Sequence, residues 1–119
     1  MAYIYRKLSR SDIELLVGRV DGAGNIRRTT SELKAGYLVG RLDMLGHIYS
    51  GRIVGRVDGE GKIYRTLPES NTEQLVGRVG ATGRIYRIIP ESNTEWLVGR
   101  TDSSNPLLIG GAALLLLLT

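Results

Sequence analysis

The sequence predicts a mainly β protein: a closed, pseudo-five-fold, ten-stranded antiparallel barrel of β-hairpin repeats, with a C-terminal apolar helix threaded through its centre. Three observations predict it. A Leu/Ile-Val-Gly-Arg element recurs as Leu16-Val17-Gly18-Arg19, Leu38-Val39-Gly40-Arg41, Ile53-Val54-Gly55-Arg56, Leu75-Val76-Gly77-Arg78 and Leu97-Val98-Gly99-Arg100. After each of the first four, a short turn leads into an isoleucine-centred segment: Asn25-Ile26-Arg27, His47-Ile48-Tyr49, Lys62-Ile63-Tyr64 and Arg84-Ile85-Tyr86. A run from Leu107 to Leu118 is apolar apart from its glycines. Internal repetition of this kind outranks every local signal in deciding a fold.

Each repeated segment is short, rich in β-branched and aromatic residues, and bounded by Gly and Asp, which selects strand over helix. The turns Asp21-Gly22-Ala23-Gly24, Asp43-Met44-Leu45-Gly46, Asp58-Gly59-Glu60-Gly61 and Gly80-Ala81-Thr82-Gly83 share a glycine at the fourth place. That is the pattern of a type I turn followed by a left-handed residue in a G1 bulge, so Gly24, Gly46, Gly61 and Gly83 are structural turn glycines. Such a turn sets the register. Val57 should oppose Ile63, Arg56 should oppose Tyr64, and equivalently Arg41 meets Tyr49, Arg78 meets Tyr86 and Arg19 meets Arg27. Continued alternation puts Ile53, Gly55, Val57 and Ile63 on the core face, and Val54, Arg56 and Tyr64 on the other.

The connections within each repeat vary in length and are expected to be peripheral petals. Thr66 to Gln74 and Ile88 to Trp96 both contain Pro-Glu-Ser-Asn-Thr-Glu, whereas the third repeat has only about Ser50 and Gly51. An open sheet would leave two unpaired edges. The orphan strands Tyr3-Ile4-Tyr5 and Leu97 to Thr101 remove them if they pair, which places Arg100 beside Tyr5. Asn105-Pro106 is a helix start, a capping side chain followed by proline at the first helical position. The 12 residues that follow reach roughly 18 Å, well short of the about 20 residues a membrane span needs. A ten-stranded barrel is too wide for its own side chains to fill, so an apolar helix in its bore supplies the missing core. Gly18, Gly40, Gly55, Gly77 and Gly99 are then barrel-wall glycines that let the helix come close. Shallow membrane insertion or tail-mediated association is the alternative for the tail.

With 119 residues, 16 Lys plus Arg against 12 Asp plus Glu, and no Cys, the chain reads as one domain, 1–119, with a barrel over 1–105 and a helix over 106–119. This size supports a core without disulfides or metal. Absence of cysteine excludes thiol redox chemistry, Cys-ligated zinc and iron–sulfur clusters. The net charge of +4 and pI near 9.7 come from single arginines at repeated positions, as on a solvated basic surface. Met1 to Arg10 lacks the apolar region of a secretory signal, so a cytoplasmic location, peripheral to a membrane if the tail engages one, is expected.

Gly-x-Ile-Tyr, a variable loop, Leu-Val-Gly-Arg-Val, Asp-x-x-Gly and the tail Gly110-Gly111-Ala112-Ala113-Leu114-Leu115-Leu116-Leu117-Leu118 together resemble the bacterial β-flower family in its five-fold form. The resemblance covers nearly the whole chain. It departs at Arg27, where tyrosine is expected, at Gly80 in place of aspartate, and at the truncated third petal. It implies a shallow symmetric barrel with an apolar channel, superficially similar to the lipid-associated Tubby and scramblase barrels, and no established biochemical activity.

No catalytic constellation is expected. His47 is the one histidine and follows a turn, and no nucleophile has an assignable base. Asp21, Asp43, Asp58 and Asp102 fall at turn starts, where a short carboxylate caps backbone N–H groups. They are too dispersed around a ring to gather on calcium, and Gly59-Glu60-Gly61-Lys62 lacks the spacing of a phosphate loop. Neither a metal nor a cofactor is expected. The candidate binding belt is Arg19, Arg41, Arg56, Arg78 and Arg100 alternating with Tyr5, Tyr49, Tyr64 and Tyr86. Guanidinium over phenol, worth about 0.5–1 kcal/mol at an exposed site, explains it as strand adhesion. The functional alternative is a belt for phosphate-bearing lipid or single-stranded nucleic acid. Trp96 is the candidate partner-loop residue, of the type most enriched in binding hot spots. The expected function is a monomeric, non-enzymatic scaffold presenting petals to a protein partner. Anionic-lipid association is the first alternative and nucleic-acid binding the second.

Overall fold

A computed structural model describes residues 2–8, 13–89, 91–92, 94–102 and 105–118. Ten strands run as β1 (Ala2–Lys7), β2 (Glu14–Val20), β3 (Asn25–Arg28), β4 (Tyr37–Leu42), β5 (His47–Ser50), β6 (Arg52–Val57), β7 (Lys62–Leu67), β8 (Thr72–Val79), β9 (Arg84–Ile89) and β10 (Thr94–Thr101). Each is antiparallel to its neighbours in sequence, and β1 closes the barrel on β10. The turn-set register is the one expected: Val57 opposes Ile63, Arg56 opposes Tyr64, Arg78 opposes Tyr86, Arg41 opposes Tyr49 and Arg19 opposes Arg27. Closure sets Tyr5 against Arg100. Gly24, Gly46, Gly61 and Gly83 all have φ between 81° and 90°, the left-handed region the turns require. Their carbonyls accept from Leu42, Val57, Val79 and Thr101 N–H of the following repeat, so each turn also splices two hairpins.

Alternation fails where the wall passes into the petals. The pairings step from Ile48–Gly55 to Tyr49–Ile53 without using Val54, and shifts of the same kind fall in β1–β2, β3–β4, β7–β8 and β9–β10. The valine before each wall glycine is thus the extra residue of a bulge, which bends the strand. Ile53, expected in the core, is exposed, and Val54, expected outside, packs against the core. The strands also reach further into the petals than expected, β7 to Leu67 and β8 from Thr72.

The C-terminal helix α1 (Pro106–Leu116) is capped by Asn105, whose side chain accepts from Leu107 and Leu108 N–H at 3.1 and 3.4 Å. It is shorter than the expected 106–119 because Leu117 is its C-cap, with N–H donated to Ala113 O. No helix among the described residues is long and apolar enough to cross a membrane. Instead α1 fills the bore, and its apolar surface on every side is what a surrounded helix needs. Two wall rings enclose it. Ile4, Ile26, Ile48, Ile63 and Ile85 are all 0% exposed, and Val20, Leu42, Val57, Val79 and Thr101 form the second ring.

Helix and wall are matched in size along the axis. Where the wall carries Leu42 and Val57, the helix carries Gly110 and Gly111, and a Cβ on Gly110 would lie 2.5 Å from Val57 Cγ2. Further along the relation inverts. Gly77, Gly99, Gly18, Gly40 and Gly55 receive Leu118, Leu117, Leu116, Leu115 and Leu114 respectively, so five successive leucines each enter one of the five gaps in the wall. The wall glycines therefore admit side chains rather than helix backbone, and this interdigitation gives the bore the density of a packed interior.

Candidate functional site

The outer belt is a set of stacked arginine–tyrosine pairs, three of them completed by a glutamate. Arg41, Arg56 and Arg78 stack over Tyr49, Tyr64 and Tyr86 with the guanidinium carbon 4.2 Å from the ring centre, and Arg100 stacks over Tyr5 at 4.6 Å. Behind the tyrosine, the next repeat supplies a carboxylate: Glu73 to Arg56 at 2.5 Å, Glu95 to Arg78, and Glu14 to Arg100 at 2.6 Å. The unit Arg100–Tyr5–Glu14 joins the two ends of the chain with the chemistry used elsewhere within it. These hydrogen bonds to glutamate hold Arg56, Arg78 and Arg100 above the usual arginine range, and the bond from Arg78 holds Glu95 below the usual carboxylate range. Two of the tyrosine hydroxyls are occupied too, Tyr5 donating to Glu32 at 3.1 Å and Tyr49 to Asp43 at 3.0 Å. Arg19 differs from the other four in having an arginine, not a tyrosine, opposite it across the turn. Its register partners are Arg27 and Tyr3, the latter absent from the expected belt.

The turn aspartates cap backbone. Asp21, Asp43 and Asp58 each accept the N–H groups two and four residues on, at 2.9–3.0 Å. Asp102 accepts Tyr3 N–H at 2.9 Å, completing the fifth turn across the chain ends. His47 bonds Asp43 through Nδ1 at 3.2 Å and belongs to the same turn. Burial pushes the Asp21 and Asp43 carboxyls up, but the N–H donors of Asn25 and His47, joined at Asp43 by the Tyr49 hydroxyl, outweigh it and hold both below the usual range. A folded-state value below the unfolded one means that stability is fully present above about pH 4 and is lost as pH falls through the depressed values. We expect the Tm to drop as pH is lowered below about 4, and Asp43→Asn to flatten that drop while lowering the Tm at neutral pH. An unchanged acid limb in Asp43→Asn would contradict this assignment, and thermal melts monitored by circular dichroism read it directly.

A second arginine ring faces inward, one residue beyond each Ile-Tyr or Ile-Arg pair. Arg6, Arg28 and Arg87 donate to Leu116 O, Leu115 O and Leu117 O at 3.0, 3.4 and 3.0 Å, and Arg65 donates to Leu118 O. A helix end leaves its last carbonyls unpaired and carries partial negative charge, and guanidinia satisfy both. Sequence reasoning missed this ring. Its signal was the recurrence of Arg at 6, 28, 65 and 87 with Ser50 as the exception.

The petals rise around this end of the barrel. Opposite the inner arginines the register places Leu15, Tyr37, Gln74 and Trp96, and Arg52 opposite Ser50. Trp96 lies within β10 rather than on its loop and is 59% exposed, while Tyr37 is 63% and Leu15 49% exposed. These three belong to petals adjacent around the ring, the fifth, first and second, together with exposed Leu97, Ile13, Leu33 and Leu38. The third and fourth petals carry Arg52 and Gln74 at the places of Leu15, Tyr37 and Trp96, although the third also exposes Ile53 at the place of Leu38 and Leu97.

The fold and this rim define a plugged five-hairpin β-barrel with one apolar arc of petals. Compared with family models, curated proteins and solved structures, the chain matches none of them.

Proposed function

We propose that this protein is a non-enzymatic interaction scaffold of the five-fold β-flower type, which binds a protein partner through the apolar arc formed by its fifth, first and second petals. The observation that carries this reading is the clustering of exposed Trp96, Tyr37, Leu15 and Leu33 on adjacent petals. Exposed apolar groups gathered in one patch with aromatic anchors are the composition of a hot-spot surface rather than of a bare solvated rim. The belt is poorly suited to phosphate. Three of its guanidinia already hold glutamates, so a phosphate-bearing lipid or a nucleic acid would have to displace three ion pairs to engage Arg56, Arg78 and Arg100. Burial of the tail inside the barrel argues likewise against its use as an anchor.

The paired variant Trp96→Ser/Tyr37→Ser tests the arc. Both side chains are more than half exposed, so folding should persist within about 0.5 kcal/mol of the parent, whereas partners recovered by the intact protein should be lost, each anchor costing about 2 kcal/mol or more. An unchanged set of partners would overturn the reading. Co-flotation with anionic vesicles that survives physiological salt would transfer the assignment to the membrane.

A further inference from the structure

The third repeat breaks the pattern at one place in two ways. The position that supplies an inward arginine in the other repeats is Ser50, and the petal beyond it is reduced to Gly51, which returns the chain directly to Arg52. Ser50 Oγ donates to Val39 O at 3.0 Å instead of reaching the helix. The space a guanidinium and a petal would fill is an opening of about 300 Å³, with Ser50, Arg52 and Arg65 on its lining and Val54, Leu114 and Leu115 among its apolar walls. That volume is at the lower end for small-molecule sites.

The lining specifies an occupant. Arg52 is exposed and pairs with no carboxylate among the described residues. Arg65 bonds Leu118 O through one nitrogen, and a guanidinium carries five N–H donors in a fork matched to a carboxylate. Two guanidinia beside an aliphatic wall call for a single negative head on a hydrocarbon chain. A small inorganic anion would leave the leucines uncovered, and an uncharged chain would leave Arg52 without a counter-charge. We propose that this opening binds a free medium-chain fatty carboxylate, with its head on Arg52 and Arg65 and its chain over Val54, Leu114 and Leu115.

Octanoate, kept below its micellar concentration, is the probe, titrated into the full-length ¹⁵N-labelled protein with no protein partner present. Failure here therefore leaves the petal reading standing, and failure of the petal reading leaves this site standing. Amide signals at Gly51, Arg65 and Leu115 should shift and saturate. Acetate, which has the head without the chain, and octanol, which has the chain without the charge, should each bind at least about tenfold more weakly. Arg52→Gln should weaken octanoate about tenfold or more, the loss of one charge-assisted contact. Ser50→Arg, which restores the residue of the other repeats, should abolish binding while the barrel remains folded. Absence of saturable shifts, octanol binding as well as octanoate, or unaltered affinity in Arg52→Gln would each overturn the proposal. Arg52 is an exposed surface residue, so its variant keeps the test decisive even if Ser50→Arg does not fold.

Discussion

A chain lacking residues 106–119 is expected to be unfolded at 25 °C, with no cooperative thermal transition. Ile109 and Leu114, Leu116, Leu117 and Leu118 are each about 1% exposed inside the barrel, and each fully buried side chain of this size contributes about 1.5–3 kcal/mol. Removal of the helix therefore withdraws about 10 kcal/mol, against a total stability of about 5–15 kcal/mol for an ordinary domain. The loss extends beyond the helix. The isoleucine ring would face an empty bore, and Arg6, Arg28, Arg65 and Arg87 would lose the carbonyls they bond. The milder Leu116→Ala should cost about 2–5 kcal/mol and remain measurable by denaturant titration. A truncated chain that stays folded and soluble would mean that the tail is an appendage and not the core.

Gly55→Ala should destabilise the barrel by about 1–3 kcal/mol or more, which is large for the addition of one methyl group. A Cβ there would stand 2.5 Å from Leu114 Cδ2 and closer still to the carbonyl oxygen of Tyr64. The two clashes separate by experiment. If only the leucine were in the way, Leu114→Ala would rescue Gly55→Ala. Because the carbonyl is part of the β6–β7 ladder and cannot retreat without breaking it, the double variant should remain less stable than Leu114→Ala alone. Full rescue would show that the glycines exist solely to admit the leucines. Chemical denaturation of the four proteins of this cycle measures the difference.

The particular residues that were readable from sequence share one property. Gly24, Gly46, Gly61 and Gly83 are read from four-residue turns, and a turn acts over a few bonds, so its geometry propagates outward and determines that Arg56 meets Tyr64 and Val57 meets Ile63. Asn105 and Pro106 mark a helix start for the same reason. Closure was legible because five repeats leave two orphan strands, and unpaired edges are costly.

Through-space features were not legible. The bulge at Val17, Val39, Val54, Val76 and Val98 reverses the alternation, since one extra unpaired residue exchanges the faces of everything beyond it, and Ile53 was misplaced on that account. The glutamates on the belt lie 17 positions from their arginines in the Arg56–Glu73 and Arg78–Glu95 pairs and meet them only across an intervening strand. The inward arginines acquire a partner only once the helix end is inside the barrel. The opening beside Ser50 exists only as the difference between one repeat and four others wrapped around the same helix.

Sequence by itself thus determined the number of strands, their hairpin register, the start of the helix and the apolar character that requires it to be enclosed, because each follows from short-range backbone geometry or from composition. Tertiary structure decided which carboxylate meets which guanidinium, which leucine enters which glycine gap, and where the ring is left open. Those choices depend on distances between segments remote in the chain, and such distances come into being only when the barrel closes around its helix.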